Sequence, residues 1–414
     1  MRKNVKIKRP ELMAPAGDWI SFYAAINAGA DAVYFGVDEL NMRAKAKNFG
    51  FDEMNKLVKI AHKNNVKAYL TLNTIVYEDE LKLAEKIVKK AKKAGVDMII
   101  CWDFAVINLC QKYDVKFAIS TQASISNSSA ANFYEKIGAS RVVLARECTL
   151  EQIKQIRKKT NAEIEVFVHG AMCISISGRC FLSHDMFGKS ANRGECIQPC
   201  RRDFTVKEYE IVDNATNKSL ILGTDYVLSP KDLCSIEFLD QIIEIGIDSL
   251  KIEGRKRSPE YVSKTVSIYK KAIDLILDGK YTPTIKQQFL NELNEVYNRG
   301  FSSGFYFGEP GTNEFTKAYG SIATTKKEYI GKVTNFFKKT NIAEIKIETG
   351  TIEKNSKILI IGNDFGTYEY QLENIMCNEQ FVDNAKKGDI ITFKIDKPLR
   401  RNLQIYKIVP NTNK

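Results

Sequence analysis

The chain has 414 residues, with 62 Lys and Arg against 50 Asp and Glu, a formal charge of +12 and an apolar content of 44%. That is an ordinary globular composition, long enough for one large domain and one small one. The basic amino terminus lacks the apolar run of a signal peptide and no later segment approaches membrane-spanning length, so the sequence predicts a cytoplasmic protein with no membrane partner.

From the start, short β-branched runs alternate with amphipathic segments, the pattern of parallel strands joined by crossover helices. Strands are expected at 11–14, 32–35, 67–72, 98–102, 116–120, 141–145 and 164–168, with an eighth at 249–253. Between them, residues 79–94 place Leu81, Ala84, Ile87, Val88 and Ala91 on one helical face and lysines on the other. Eight such units in roughly three hundred residues fit an α/β fold of the (β/α)8 TIM type, with a cysteine-bearing insertion at 171–235, better than an open doubly wound sheet. No Gly-x-Gly-x-x-Gly or Walker loop follows any strand, which removes the phosphate cradle of the nucleotide-binding alternatives.

In such barrels chemistry sits at the carboxyl ends of the strands, here marked by Asn73, Asp103, Gln122, Arg146, His169 and Glu253-Gly-Arg255. The insertion leaves from that end and carries a polar hairpin expected between Asp203 and Leu222. A long helix over 259–278 should close the barrel, followed by the aromatic loop Phe305-Tyr-Phe307. After Tyr329 helical periodicity gives way to six short strands punctuated by glycines, which predicts a small all-β C-terminal barrel over 326–414 behind a catalytic domain at 1–325.

Nine cysteines, an odd number in a chain without a secretion signal, argue for reduced thiols and metal ligation instead of a disulfide framework. Four of them, Cys173, Cys180, Cys196 and Cys200, fall in one short segment, and Cys234 follows. Wide gaps unlike paired zinc knuckles favour an iron–sulfur cluster, while Cys196-x-x-x-Cys200 keeps zinc open and makes Cys200 a rival ligand. Cys101, Cys110, Cys148 and Cys377 lie in apolar or helical contexts away from this loop.

The run Glu165-x-Phe167-x-x-Gly170-Ala-Met-Cys173-x-x-x-x-Gly178-x-Cys180-x-Leu-Ser183 resembles the signature of the collagenase-like peptidase family U-32. The resemblance extends to Glu11-Leu-Met-Ala-Pro-Ala-Gly17, Asp31-Ala-Val-Tyr-Phe-Gly36, Gln198-Pro-Cys-Arg201 and Lys251-Ile-Glu-Gly-Arg-Lys-Arg-Ser-Pro-Glu260. It implies an oxygen-independent hydroxylase carrying a [4Fe-4S] cluster on Cys173, Cys180, Cys196 and Cys234. The branch it resembles converts tRNA uridine to 5-hydroxyuridine, with prephenate as a linked metabolite and a paralogous subunit as a possible partner.

Among the remaining residues, His169 and Glu253 are the catalytic candidates, His169 for proton transfer beside the cysteine loop. Arg255 and Arg257 are candidates for gripping a dicarboxylate such as prephenate, or a phosphate, and Asn73 and Gln122 for lining that cofactor site. Phe305, Tyr306 and Phe307 are candidates for stacking on RNA bases. Three alternatives stay open: hydroxylation of a ribosomal-RNA cytidine, a collagen-directed peptidase, and a zinc-stabilised RNA-binding protein without catalysis. The peptidase alternative lacks His-Glu-x-x-His and a Gly-x-Ser-x-Gly elbow, and the chain has only His62, His169 and His184.

Overall fold

The computed structural model describes residues 8–44, 47–173, 175, 180, 182–202, 210–212, 219–221, 229–310, 314–316 and 320–412. Eight parallel strands close into a barrel: β1 (Glu11–Pro15), β2 (Ala32–Phe35), β3 (Lys67–Thr71), β4 (Met98–Cys101), β5 (Phe117–Ile119), β6 (Arg141–Val143), β7 (Glu163–Ala171) and β8 (Ser249–Ile252). Ring closure comes from β8, which pairs with β1 on one side and β7 on the other. All eight expected strands are present.

Most of these strands are buried along their whole length because helices cover the outside while side chains fill the inside. Helix starts are fixed locally. Asp18 accepts from Ser21 N, Asp103 from Ala105 N and Asn127 from Ala130 N, each such cap contributing about 1 kcal/mol. The helix Leu81–Ala94 buries Ala84, Ile87, Val88 and Ala91 as its periodicity predicts, and Gly95 ends it at φ +77. It starts two residues later than expected because Glu78–Glu80 forms a separate 3-10 turn.

The lower barrel interior is charged. Arg141 reaches Glu11 at 2.8 Å and Glu165 at 3.2 Å, Lys251 reaches Glu165 at 2.9 Å, and Tyr69 donates to Glu11 at 2.8 Å. Burying such charges is tolerable only because each has a partner.

Beyond β7 the short strand Asp232–Cys234 runs antiparallel to its upper half, setting Cys234 opposite His169. Of the expected hairpin, Glu210–Val212 pairs antiparallel with Ser219–Ile221, and its turn lies outside the described residues. Gly178 and Arg179 of the cysteine motif also lie outside them.

The C-terminal region is all-β. An eight-stranded antiparallel sheet runs from Gly366–Gln371 through Lys357–Gly362, Gln404–Pro410, Thr325–Phe337, Ile342–Ile347, Ile390–Lys394 and Ile375–Cys377 to Gln380–Val382. Among the described residues its two end strands do not pair, so the ladder is a sheet folded over one core and not a hydrogen-bonded ring. It docks against the barrel helices Trp19–Asn27 and Pro259–Leu277. Gly366, at φ +77, lies so close to Ala24 that a Cβ there would fall 2.4 Å from its nitrogen. Lys264 pairs with Glu369 at 3.5 Å and Lys327 with Glu260 at 2.8 Å. No helix among the described residues is long and apolar enough to cross a membrane.

Candidate active site

A cavity of about 220 Å³ opens at the carboxyl ends of the barrel strands. One part of its wall is sulfur: Cys173, Cys180, Cys196 and Cys200 all line it. Cys173 arrives directly from the end of β7, whereas the other three come from the insertion, which basic residues fasten to the rim. Arg201 donates to Ser229 Oγ and to the carbonyls of Pro230 and Met172, Arg193 binds Glu80 and the Ile75 carbonyl, and Lys256 donates to the Cys196 carbonyl at 3.0 Å. Leu182 N–H donates to Cys180 Sγ at 3.4 Å.

Cys234 is elsewhere. Its thiol lies 3.9 Å from Tyr269 OH, behind β7, and burial pushes its pKa up to about 12. The antiparallel register of Asp232–Cys234 against β7 is what turns this side chain away from the cavity. Among the described residues the cavity lining therefore holds Cys173, Cys180, Cys196 and the rival Cys200, while the expected fourth ligand Cys234 lies outside it.

Five cations share the lining with the thiols: Arg43, Arg146, Arg201, Lys251 and Arg255, against the carboxylates Glu147 and Glu253. Arg255 is almost fully buried and donates to Thr71 Oγ1 at 2.9 Å, to Asn41 Oδ1 at 2.8 Å and to Asn48 Oδ1. Among the described residues its Nε has no hydrogen-bond partner. Burial, with Arg43 nearby, pulls its pKa down to about 10. The motif glycines make room for it: a Cβ on Gly17 would fall 2.2 Å from the Arg255 carbonyl oxygen, and one on Gly36 2.5 Å from its Nη2.

Glu253 faces Arg43 at 3.4 Å. Burial alone would raise its pKa, but Arg43, Arg257 and Arg146 outweigh that and hold it below the usual carboxylate value. Arg146 donates to the Ala171 carbonyl at 2.6 Å and lies 3.8 Å over the Phe167 ring. Asn73 and Gln122 line the opposite side with Ser120.

Two expected site residues are not in the cavity. His169 packs among Tyr261, Tyr269 and Phe301, with burial and then Arg257 pulling its pKa to about 3. The register between β7 and β8 is irregular at Lys251 and Ile252, and the ring turns outward, away from the cavity lining. Arg257 likewise turns away, pairing with Asp232 at 3.6 Å and stacking on Tyr297 at 3.8 Å. Of the aromatic loop, Phe305 lines the cavity, Tyr306 is buried with its hydroxyl on the Phe167 carbonyl, and Phe307 is 61% exposed.

Sequence reasoning gave no role to Arg43, Arg146 or Lys251. Arg146 carried a signal in its strand-end position and Lys251 in its place inside a matched motif, but Arg43 sits in a loop with no periodicity to mark it.

Four thiols facing guanidinium groups suit a thiolate-bound metal centre, because cations offset the charge of ionised sulfur. Burial raises Cys200 to about 11, with Arg201 opposing, and the nearby Cys173, Cys196 and Cys180 raise it further. Among the described residues no three His, Cys, Asp or Glu groups stand close enough together to hold a metal ion. The donor set fits such a centre in kind.

A TIM-type barrel with a thiol-lined, cationic mouth defines the class of this protein. Residues 17–316 match the model of peptidase family U32, and the chain belongs to that family. It is 43% identical over 404 residues to an uncharacterized protease of Methanocaldococcus jannaschii, covering 96% of this chain and 97% of that protein. A collagenase of Porphyromonas gingivalis is 38% identical over 409 residues, covering 96% and 97%. The tRNA hydroxylation protein P1 of Bacillus subtilis is 36% identical over 404 residues, covering 96% and 94%.

Proposed function

We propose that this protein hydroxylates RNA without oxygen, converting a tRNA uridine to 5-hydroxyuridine in a prephenate-linked reaction. The observation that carries this reading is the joining of four thiols and five cations in one cavity at the barrel mouth. The relative from Bacillus subtilis named for tRNA hydroxylation supports the substrate class. Cys173, Cys180, Cys196 and Cys200 would hold a [4Fe-4S] cluster, which supplies the electron transfer that no side chain can perform.

The chain's own groups do the rest. Arg255, with its unpartnered Nε, and Arg146 bind carboxylate oxygens of the co-substrate. Glu253, held ionised by its arginine neighbours, is a carboxylate of the cavity able to accept a proton from the bound base. Phe167, Phe305 and Met172 give the cavity an apolar side that limits water. The collagenase named above favours peptide hydrolysis, yet among the described residues no histidine lines the cavity beside the thiols.

Anaerobic purification should give a coloured protein containing iron and sulfide, and incubation with unmodified tRNA and prephenate should yield 5-hydroxyuridine on nucleoside analysis. A colourless zinc protein would overturn the cofactor assignment. Conversion of cytidine in ribosomal RNA, with tRNA untouched, would move the substrate to the alternative branch.

A further inference from the structure

The side of the cavity away from the thiols is built from three almost fully buried polar side chains, Asn73, Ser120 and Gln122. Asn73 follows β3, which stands diametrically across the eight-strand ring from β7, where Cys173 begins the thiol wall. A ligand in the cavity therefore has sulfur on one side and amides on the other.

The orientation of these amides is fixed by hydrogen bonds. Met42 N–H donates to Asn73 Oδ1 at 3.2 Å, so the amino group of Asn73 is the end left to point inward, and one of its hydrogens reaches Ser120 Oγ at 3.4 Å. Ser120 in turn donates to Gln122 Oε1. Trp102 Nε1 holds the Asn73 carbonyl at 3.0 Å, so the backbone beneath is fixed too. The chain runs one way, from Asn73 nitrogen through hydroxyl to Gln122 oxygen. The cations near it also donate: Arg43, Arg146, Lys251 and Arg255 offer only N–H groups. The two carboxylates of the lining are engaged, Glu253 with Arg43 and Glu147 with a partner of its own.

A donor-lined pocket discriminates between the two pyrimidines. Uracil presents carbonyl oxygens on both sides of its N3–H, whereas cytosine replaces one of them with an amino group, which would face N–H groups that cannot accept from it. A site built on buried hydrogen bonds rejects the analogue that leaves them unmade.

We infer that Asn73, positioned by Ser120 and Gln122, reads a carbonyl oxygen of the target base and selects uracil over cytosine. This rests on the proposed RNA hydroxylation and adds which residues choose the base.

The test uses the metal-loaded, full-length protein with prephenate and a tRNA transcript carrying either uridine or cytidine at the modified position. Wild type should prefer uridine. Asn73→Asp keeps the shape and replaces the inward donor by an acceptor, and it should lower the uridine-to-cytidine ratio of kcat/KM by about tenfold or more at unchanged visible absorbance. Ser120→Ala breaks the orienting chain and should lower the ratio less, which keeps the test decisive if Asn73→Asp proves inactive. A ratio unchanged in the active variants overturns the role of Asn73 while leaving RNA hydroxylation intact. A wild-type protein that converts neither nucleotide overturns both.

Discussion

The ammonium of Lys251 donates to Glu165 Oε1 at 2.9 Å beneath the cavity, and the other oxygen of that carboxylate accepts from Arg141 at 3.2 Å. Glu165 is fully buried and is the counter-ion of Lys251, sharing Arg141 with Glu11. Glu165→Leu should cost about 3–5 kcal/mol in urea denaturation, because it strands the Lys251 ammonium and leaves Arg141 only Glu11 and Glu163. Lys251→Met should cost less, since Arg141 keeps Glu165 and Glu11 as partners.

Stability should fall on acidification, starting above the carboxylate range. Burial, with help from Arg257, lowers His169 from 6.5 to about 3. As pH drops through 6.5 the unfolded chain takes up a proton there that the folded chain refuses until near 3, so unfolding is favoured across that window. Glu11 is held below its ordinary value by Arg141 against the opposing effect of burial, and Glu253 similarly by Arg43. Their stabilisation is present above the ordinary carboxylate value and is lost as pH falls through the lowered one. His169→Phe should flatten the upper part of the stability profile and leave hydroxylation in place. Loss of activity at full stability would return His169 to the chemistry.

Cys200 and Cys234 should behave differently under the same substitution. Cys200→Ala removes a thiol of the cavity wall and should abolish visible absorbance and bound iron. Cys234→Ala should keep both and cost about 1 kcal/mol of packing. Iron retained in the first variant and lost in the second would reverse the ligand assignment.

Docking of the C-terminal sheet depends on Gly366, whose φ of +77 and contact with Ala24 leave no space for a side chain. Gly366→Ala should destabilise the protein by at least about 1 kcal/mol and loosen the sheet from the helix Trp19–Asn27. Ending the chain at Thr325 should keep the iron and weaken tRNA binding, measured at moderate salt.

The barrel was legible because its eight strands are local apolar runs and its helices show a 3.6-residue stripe, both properties of short windows. The thiol wall was legible for the same reason, since Cys173 to Cys200 lie close in sequence. That Cys234, His169 and Arg257 lie outside the cavity was not legible, because which way a side chain faces depends on pairing between distant segments. The register of Asp232–Cys234 against β7 and the irregularity between β7 and β8 leave no local mark in the sequence. The wall of Asn73, Ser120 and Gln122 could be located at strand ends, but its one-way hydrogen-bond chain appeared only when β3 and β5 were set around the same mouth.

The most direct test of RNA hydroxylation is nucleoside mass spectrometry of total tRNA from cells with and without the gene, grown without oxygen. The account predicts that 5-hydroxyuridine and its derivatives disappear on deletion and return with the wild-type gene, but not with Cys200→Ala. Their persistence at full level in a deletion strain lacking any paralogue would contradict it.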